Sequence, residues 1–164
     1  MSRPISAIDS SQIYLDTNTF YLLLRAVTPQ ANELFGEIEQ GGLYAYTSAL
    51  TFDELAYRLL LALIRDVYGR SPLDRLRQNK SEMVAAFSSK VDDLLAEMIG
   101  YPHLTIVSVD AKDILAMRQN IKHFRLMPRD ALHLAAMQKV GCFHLISQDS
   151  DFDHIPGITR YTLD

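Results

Sequence analysis

Short apolar segments alternate along the chain with longer stretches in which apolar residues recur at helical spacing. Five segments rich in Ile, Val, Tyr and Thr predict strands, and their bounds are Ile13–Leu15, Leu43–Thr47, Leu104–Val109, Cys142–Ser147 and Ile158–Thr162. Most of them are continuous apolar runs, which is typical of parallel strands that are covered on both faces. The pattern therefore predicts an α/β fold with a central, mainly parallel five-stranded sheet and helices on both sides.

A long helical excursion separates the second predicted strand from the third. Two helices are predicted within residues 54–100, joined around Gly69-Arg70-Ser71-Pro72. The first of them, Glu54–Tyr68, is apolar on almost its whole circumference, so it must be covered on more than one side. We expect a projecting helical hairpin that meets a partner, as in a homodimer; cover from the core of the same domain is the alternative.

Composition favours one ordinary domain spanning residues 1–164. The chain is 48% hydrophobic and 22% charged, and its single cysteine, Cys142, excludes an internal disulfide and any multi-cysteine zinc site. The first residues carry no apolar stretch typical of a secretory signal, and the apolar run Leu59–Ile64 is too short to span a bilayer. We expect a cytoplasmic protein without membrane contact.

Charge is segregated along the chain. The net charge of −4 argues against a general nucleic-acid binder, but basic residues are concentrated within 58–80 and 112–129. Arg58, Arg125 and Arg129 belong to these stretches and are candidates for contacts with nucleic-acid phosphates. Solvated helix faces are the alternative explanation.

Acidic residues stand at element boundaries, where an open α/β sheet binds its ligands. Asp16 ends the first predicted strand, and Asp149 follows the fourth with Asp151 close by. Glu54 and Asp130 are each placed at the beginning of a predicted helix. Ligands bind outside the carboxyl ends of parallel strands, so all four elements are expected to meet there. For Asp130 this requires the preceding helix to lie across the sheet, or residues 124–128 to return to that edge.

Converging carboxylates repel one another, by about 3 kcal/mol for a pair some 6 Å apart at an effective dielectric near 20, unless cations intervene. Oxygen donors suit Mg²⁺ or Mn²⁺ rather than Zn²⁺. Two such ions activate water and stabilise an in-line phosphoryl displacement, which predicts phosphodiester hydrolysis. The predicted catalytic and metal-binding residues are Asp16, Glu54, Asp130 and Asp149, with Asp151 as a further metal ligand. Asn18 and Ser147 are predicted to orient carboxylates or water.

Structural roles compete with these assignments. Asp16 also fits a turn after a strand, and an acid at a helix start is favoured by the helix dipole alone. Asp149, Asp151 and Asp153 form one acidic loop, and physics alone does not choose among them. His133 lies on the same helical face as Asp130, a position more typical of packing or indirect support than of a ligand.

The order of these motifs resembles that of PIN domains, in particular the VapC-type toxins of toxin–antitoxin pairs. The resemblance covers Ile13 to Thr162. It rests on Asp16-Thr17-Asn18 at a strand end, on the isolated Glu54 before Leu55, on Asp130-Ala131-Leu132-His133-Leu134-Ala135-Ala136 leading to Gly141, and on Ser147-Gln148-Asp149-Ser150-Asp151-Phe152.

The resemblance implies a three-layer α/β/α fold and a Mg²⁺- or Mn²⁺-dependent endoribonuclease. It also implies a homodimer formed through the helices after the second strand, and a small antitoxin protein that covers the site. By motif, the three core acids of the family fall on Asp16, Glu54 and Asp130, the fourth acid on Asp149, and the polar supporting positions on Asn18 and Ser147.

Two other functions compete with the nuclease. A PIN fold that binds RNA or a protein without cutting is the first, although such a module would be expected to have lost one of the four acids. Transfer of phosphate through an aspartyl phosphate is the second, and it is disfavoured because position 18 is Asn where one such family needs Asp. The segment 69–100 is longer than in the compact toxins, so the helical arm and its partner are expected to differ from theirs.

Overall fold

The structure is a computed structural model that describes residues 2–163. The strands are β1 (Arg3–Pro4), β2 (Gln12–Leu15), β3 (Tyr44–Ser48), β4 (Leu104–Val107), β5 (His144–Ile146) and β6 (Thr159–Thr162). The helices are α1 (Thr17–Leu24), α2 (Pro29–Glu39), α3 (Ala49–Tyr68), α4 (Pro72–Gln78), α5 (Lys80–Ile99), α6 (Ala111–Phe124) and α7 (Pro128–Val140). Among these helices none is long and apolar enough to cross a membrane.

The strands form one parallel sheet in the order β1-β6-β5-β2-β3-β4. The predicted α/β class is confirmed, but the sheet has six strands rather than five. The additional strand, β1, is two exposed residues that pair with β6 at the sheet edge. No apolar pattern marks Arg3 and Pro4, because an exposed edge strand has no buried face to encode.

Both faces of the central strand β2 are buried. Ile13 and Leu15 lie in the cluster with Phe20 and Phe35, whereas Tyr14 lies in the cluster that α7 forms on the other side. Successive side chains of a strand point to opposite faces, so this arrangement accounts for an uninterrupted apolar run.

The helical arm differs from its predicted form. It contains three helices rather than two, and α3 begins at Ala49, so Glu54 lies in the second turn instead of opening the helix. The polar residues before Glu54 obscured this start: Thr51 is buried and bonds through its hydroxyl to that of Thr47 at 2.7 Å.

Most of the apolar circumference of α3 is covered by the same chain. Leu55 and Leu59 pack into the main core. Farther along the helix, Ile64 forms a separate small cluster with Leu76 of α4 and Met83 of α5. The arm therefore has its own hydrophobic contacts, and a homodimer is not needed to bury these side chains.

An antiparallel pairing of α6 and α7 brings Asp130 to the carboxyl edge of the sheet. Asp110 and Asp113 at the start of α6 accept hydrogen bonds from Lys139 in the last turn of α7, at 3.1 and 2.9 Å. The beginning of α6 therefore lies beside the end of α7, and the end of α6 lies beside the beginning of α7, which carries Asp130. Asp130 lines one cavity with Asp16, so it reaches the carboxyl edge of the sheet.

Core packing at Phe35 predicts a large loss of stability. Its ring is 1% exposed and makes edge contacts with Phe20 and Tyr101, with centroids 5.5 and 5.2 Å apart. We expect Phe35→Ala to lower the free energy of unfolding in urea by about 3–5 kcal/mol. Phe143→Ala, at an exposed phenyl ring, is the matched control and should change it by less than about 1 kcal/mol. Equal losses in the two variants would contradict this packing.

Candidate functional site

A cavity of about 360 Å³ opens where β2 and β5 end and α1 and α7 begin. All four acids predicted to be catalytic reach it. Its lining consists of Asp16, Thr17, Asn18, Glu54, Arg58, Asp130, His133, Gln148, Asp149 and Phe152. The topology thus brings together side chains that are far apart in the sequence, as expected for a ligand site at this edge.

Asp16 directly follows β2 and is held in place by hydrogen bonds to residues of α1 and to the residue after β5. It caps α1, and its Oδ1 accepts hydrogen bonds from the backbone N–H and the hydroxyl of Thr19, at 3.1 and 3.0 Å. Its Oδ2 accepts a short hydrogen bond from the hydroxyl of Ser147. Burial nevertheless raises the pKa of Asp16, which these donors only partly oppose. Ser147 therefore donates to a carboxylate of the site, and its role in orienting that group for a ligand stays a prediction.

Asp130 is the carboxyl group most affected by its neighbours. Burial comes first among the causes, followed by the charges of Asp149, Asp151, Glu54 and Asp16, and together they raise its pKa to about 6. Ligand oxygens of Asp130, Asp149 and Asp151 lie within 4.8 Å of one another. Such a group binds either a proton or a cation more readily than an isolated carboxylate does.

The acidic residues of the loop after β5 have two different roles. Asp149 lines the cavity, and its Oδ1 accepts from the backbone N–H of Asp151 at 2.8 Å. Asp153 instead forms two hydrogen bonds with the buried guanidinium of Arg160, at 2.8 and 2.9 Å. Asp149 and Asp151 are therefore the acids available to a ligand, whereas Asp153 is engaged in a structural ion pair.

Of the three arginines predicted to contact phosphates, Arg58 lines the cavity and Arg129 pairs with a residue that lines it. Arg58 donates to Oδ1 of Asn18 at 2.9 Å, and Arg129 forms an ion pair with Glu54 at 3.5 Å. Asn18 is thus held by Arg58. The third, Arg125, ends α6 as its cap residue and is exposed, and it is not among the residues that line the cavity.

Three buried residues near the site were not predicted to be functional: His133, Tyr14 and Arg160. His133 is 5% exposed, and burial lowers its pKa to about 4. Its Nδ1 lies 3.0 Å from the hydroxyl of Tyr14 on β2. Arg160 is 6% exposed and donates to the carbonyl of Ser147 at 2.9 Å. The helical spacing from Asp130 indicated His133, but no local sequence signal indicated Tyr14 or Arg160.

The donor set fits a hard divalent cation. The cavity offers carboxylate oxygens, several of them within 4.8 Å of one another, and burial and mutual repulsion raise the pKa of Asp130. Mg²⁺ and Mn²⁺ prefer oxygen ligands of this kind. No cysteine lines the cavity, and the imidazole of His133 is not part of the close carboxylate group.

The family model of the PIN domain matches residues 13–158. The chain belongs to the PIN domain family. No curated relative matches the sequence of this PIN domain.

Toxin–antitoxin proteins are similar to this PIN domain in structure. VapBC2 of Rickettsia felis, solved with a DNA fragment from its promoter, has a TM-score of 0.62 at 13% identity and covers 93% of this chain and 99% of that chain. A toxin–antitoxin complex of Klebsiella pneumoniae has a TM-score of 0.53 at 16% identity, covering 90% and 95%. VapC20 of Mycobacterium tuberculosis, a toxin that cleaves the sarcin–ricin loop, has a TM-score of 0.52 at 19% identity. The match covers 86% of this chain and 92% of that chain. These similarities establish the fold.

The raised pKa of Asp130 predicts a pH-dependent stability in metal-free buffer. The folded chain holds this proton to about pH 6, whereas the unfolded chain releases it near 3.8. The free energy of unfolding therefore falls as pH rises through this window and stays lower above it. Asp130→Asn is expected to gain about 1 kcal/mol at pH 8, because partial exposure reduces a full penalty of about 3 kcal/mol.

Urea denaturation in EDTA at several pH values measures this gain. The gain should become small near pH 3.5, where Asp130 is protonated in the folded state and mostly protonated in the unfolded state of the wild-type chain. Asp74→Asn, at an exposed acid in α4, should show no such pH dependence. A gain of the same size at every pH would show that ionisation of Asp130 is not its cause.

Proposed function

We propose that this PIN domain is a Mg²⁺- or Mn²⁺-dependent endoribonuclease that hydrolyses RNA phosphodiester bonds and acts as the toxin of a toxin–antitoxin pair. The observation that carries the proposal is the convergence of Asp16, Glu54, Asp130 and Asp149 on one cavity. Carboxylates so placed repel one another, and a divalent cation turns this repulsion into binding energy.

The four carboxylates would hold the metal, with Asp151 as an additional ligand at the rim. When bound, divalent ions supply Lewis acidity, which lowers the pKa of water and stabilises charge on phosphate oxygens. Asp16 is pre-oriented by Ser147 and Thr19, so little conformational entropy is lost on binding. Asp130 must give up its proton first, which favours activity above about pH 6.

The guanidinium groups at the cavity rim would bind the RNA backbone. Arg129 is 59% exposed at its side chain and Arg58 borders the carboxylates, so both can reach a phosphate beside the metal. Guanidinium groups bind phosphate through paired hydrogen bonds. Two rim arginines beside a cation-binding cavity account for how an acidic protein would attract a polyanion.

The proposed partners are an RNA substrate, an antitoxin protein and a second copy of the chain. The proposed location is the cytoplasm. The toxin–antitoxin assemblies among the similar structures support an antitoxin. An apolar groove of about 680 Å³ between α3 and α5 includes exposed Tyr57 and Val84. Exposed apolar surface of this kind supports a protein contact on the arm.

Cleavage of a mixed RNA pool by purified protein tests the nuclease. We expect cutting with Mg²⁺ or Mn²⁺, none in EDTA, and a loss of at least about 100-fold in Asp16→Asn and Glu54→Gln, because each removes a negatively charged metal ligand. Asp53→Asn is the matched control, since Asp53 precedes Glu54 but is exposed and does not line the cavity.

The pattern across variants decides between the two PIN functions. Cleavage that persists in Asp16→Asn would contradict the site. RNA binding without cleavage in any divalent ion would instead support a PIN module that binds but does not cut.

A further inference from the structure

An imidazole is buried in the wall of the carboxylate cavity. His133 lies on α7 three residues after Asp130 and is 5% exposed, yet it contributes to the cavity lining. Burial makes it a neutral ring at ordinary pH, with its pKa near 4. A neutral imidazole offers one N–H donor and one acceptor nitrogen, and the hydrogen bond at one nitrogen decides the role of the other.

Tyr14 fixes which nitrogen carries the hydrogen. Its hydroxyl lies 3.0 Å from Nδ1 of His133, and a phenol hydroxyl carries one hydrogen that it can donate. The Oγ of Ser48, another polar group beside this hydroxyl, has no hydrogen-bond partner, so it does not accept from Tyr14. We therefore assign Nδ1 as the acceptor for the Tyr14 hydroxyl, which places the imidazole hydrogen on Nε2.

Because Tyr14 engages Nδ1, the ring nitrogen left for a ligand in this cavity is Nε2, and an Nε2–H group suits an anionic ligand rather than a metal. A nitrogen that carries a hydrogen has no lone pair for a cation, and His133 is not part of the carboxylate group within 4.8 Å. A neutral donor also avoids the repulsion that an arginine would exert on a bound divalent ion. The ligand with matching chemistry is a phosphate oxygen.

We propose that His133 donates a hydrogen bond from Nε2 to a non-bridging oxygen of the RNA phosphate held at the carboxylates, and that Tyr14 is the positioning residue that keeps the ring in this tautomer. The inference rests on the proposed function for its substrate class. It assigns to the buried Tyr14–His133 pair a part in substrate binding that packing alone does not require.

Two substitutions at His133 separate a substrate contact from a packing role. The amide nitrogen of Gln takes the place of Nε2, whereas that of Asn takes the place of Nδ1. We expect His133→Asn to lower kcat/KM for RNA cleavage about 10–100-fold, as for a lost hydrogen bond to a charged group. His133→Gln should recover most of this loss, and Tyr14→Phe should show an intermediate loss. His123→Asn, at an exposed histidine of α6, should equal the wild type.

Mn²⁺ affinity and thermal unfolding of the same variants show whether metal binding and folding are intact. Cleavage by His133→Asn at the wild-type rate would overturn the proposal. Equal losses in His133→Asn and His133→Gln that follow their stabilities would also overturn it, because packing would then explain both.

Equilibrium binding of a fluorescein-labelled single-stranded RNA in Ca²⁺ distinguishes failure of this inference from failure of the nuclease. If the wild type binds but does not cleave, weaker binding in His133→Asn than in His133→Gln still supports the phosphate contact. Equal binding by both variants rejects the contact, whether or not the protein is a nuclease.

Discussion

Burial of carboxylates close together at one edge of the sheet is the constraint on which the site depends. Asp16 and Asp130 both have raised pKa values, and burial is the largest cause for each. The surrounding structure opposes this cost with hydrogen-bond donors and cations. Ser147 donates to Asp16, Arg129 pairs with Glu54, and the buried guanidinium of Arg160 lies beneath the cluster, where it donates to the Ser147 carbonyl. Side chains that are costly to hold together without a ligand indicate a place for a cation.

The fold places these groups by simple means. Parallel strands end at one edge, and α1 and α7 begin there, so their N-terminal dipoles face the carboxylates. The pairing of α6 with α7 returns the chain to this edge, and Lys139 anchors the pairing by hydrogen bonds to Asp110 and Asp113. The helical arm adds a separate cluster around Ile64 and Met83.

Local sequence patterns predicted the structure correctly where the buried residues of an element lie close together in the sequence. The apolar run around Tyr14 predicted a strand covered on both faces, and the motif order predicted the PIN family. Prediction failed where tertiary contacts decide: the exposed edge strand β1 has no pattern to detect, and the start of α3 depends on a buried Thr51. The division of the acidic loop depends on Arg160, which binds Asp153 and could not be identified before the fold was known. The partner of His133 was likewise hidden, since Tyr14 lies on a different element.

The claim that the carboxylates form a cation site is tested most directly by the anomalous scattering of Mn²⁺ in crystals of the wild-type protein. The account predicts a strong peak in the cavity bounded by Asp16, Glu54, Asp130 and Asp149, and no peak there in crystals of Asp130→Asn soaked in the same way. Mn²⁺ bound elsewhere, with the cavity empty at saturating concentration, would contradict the account.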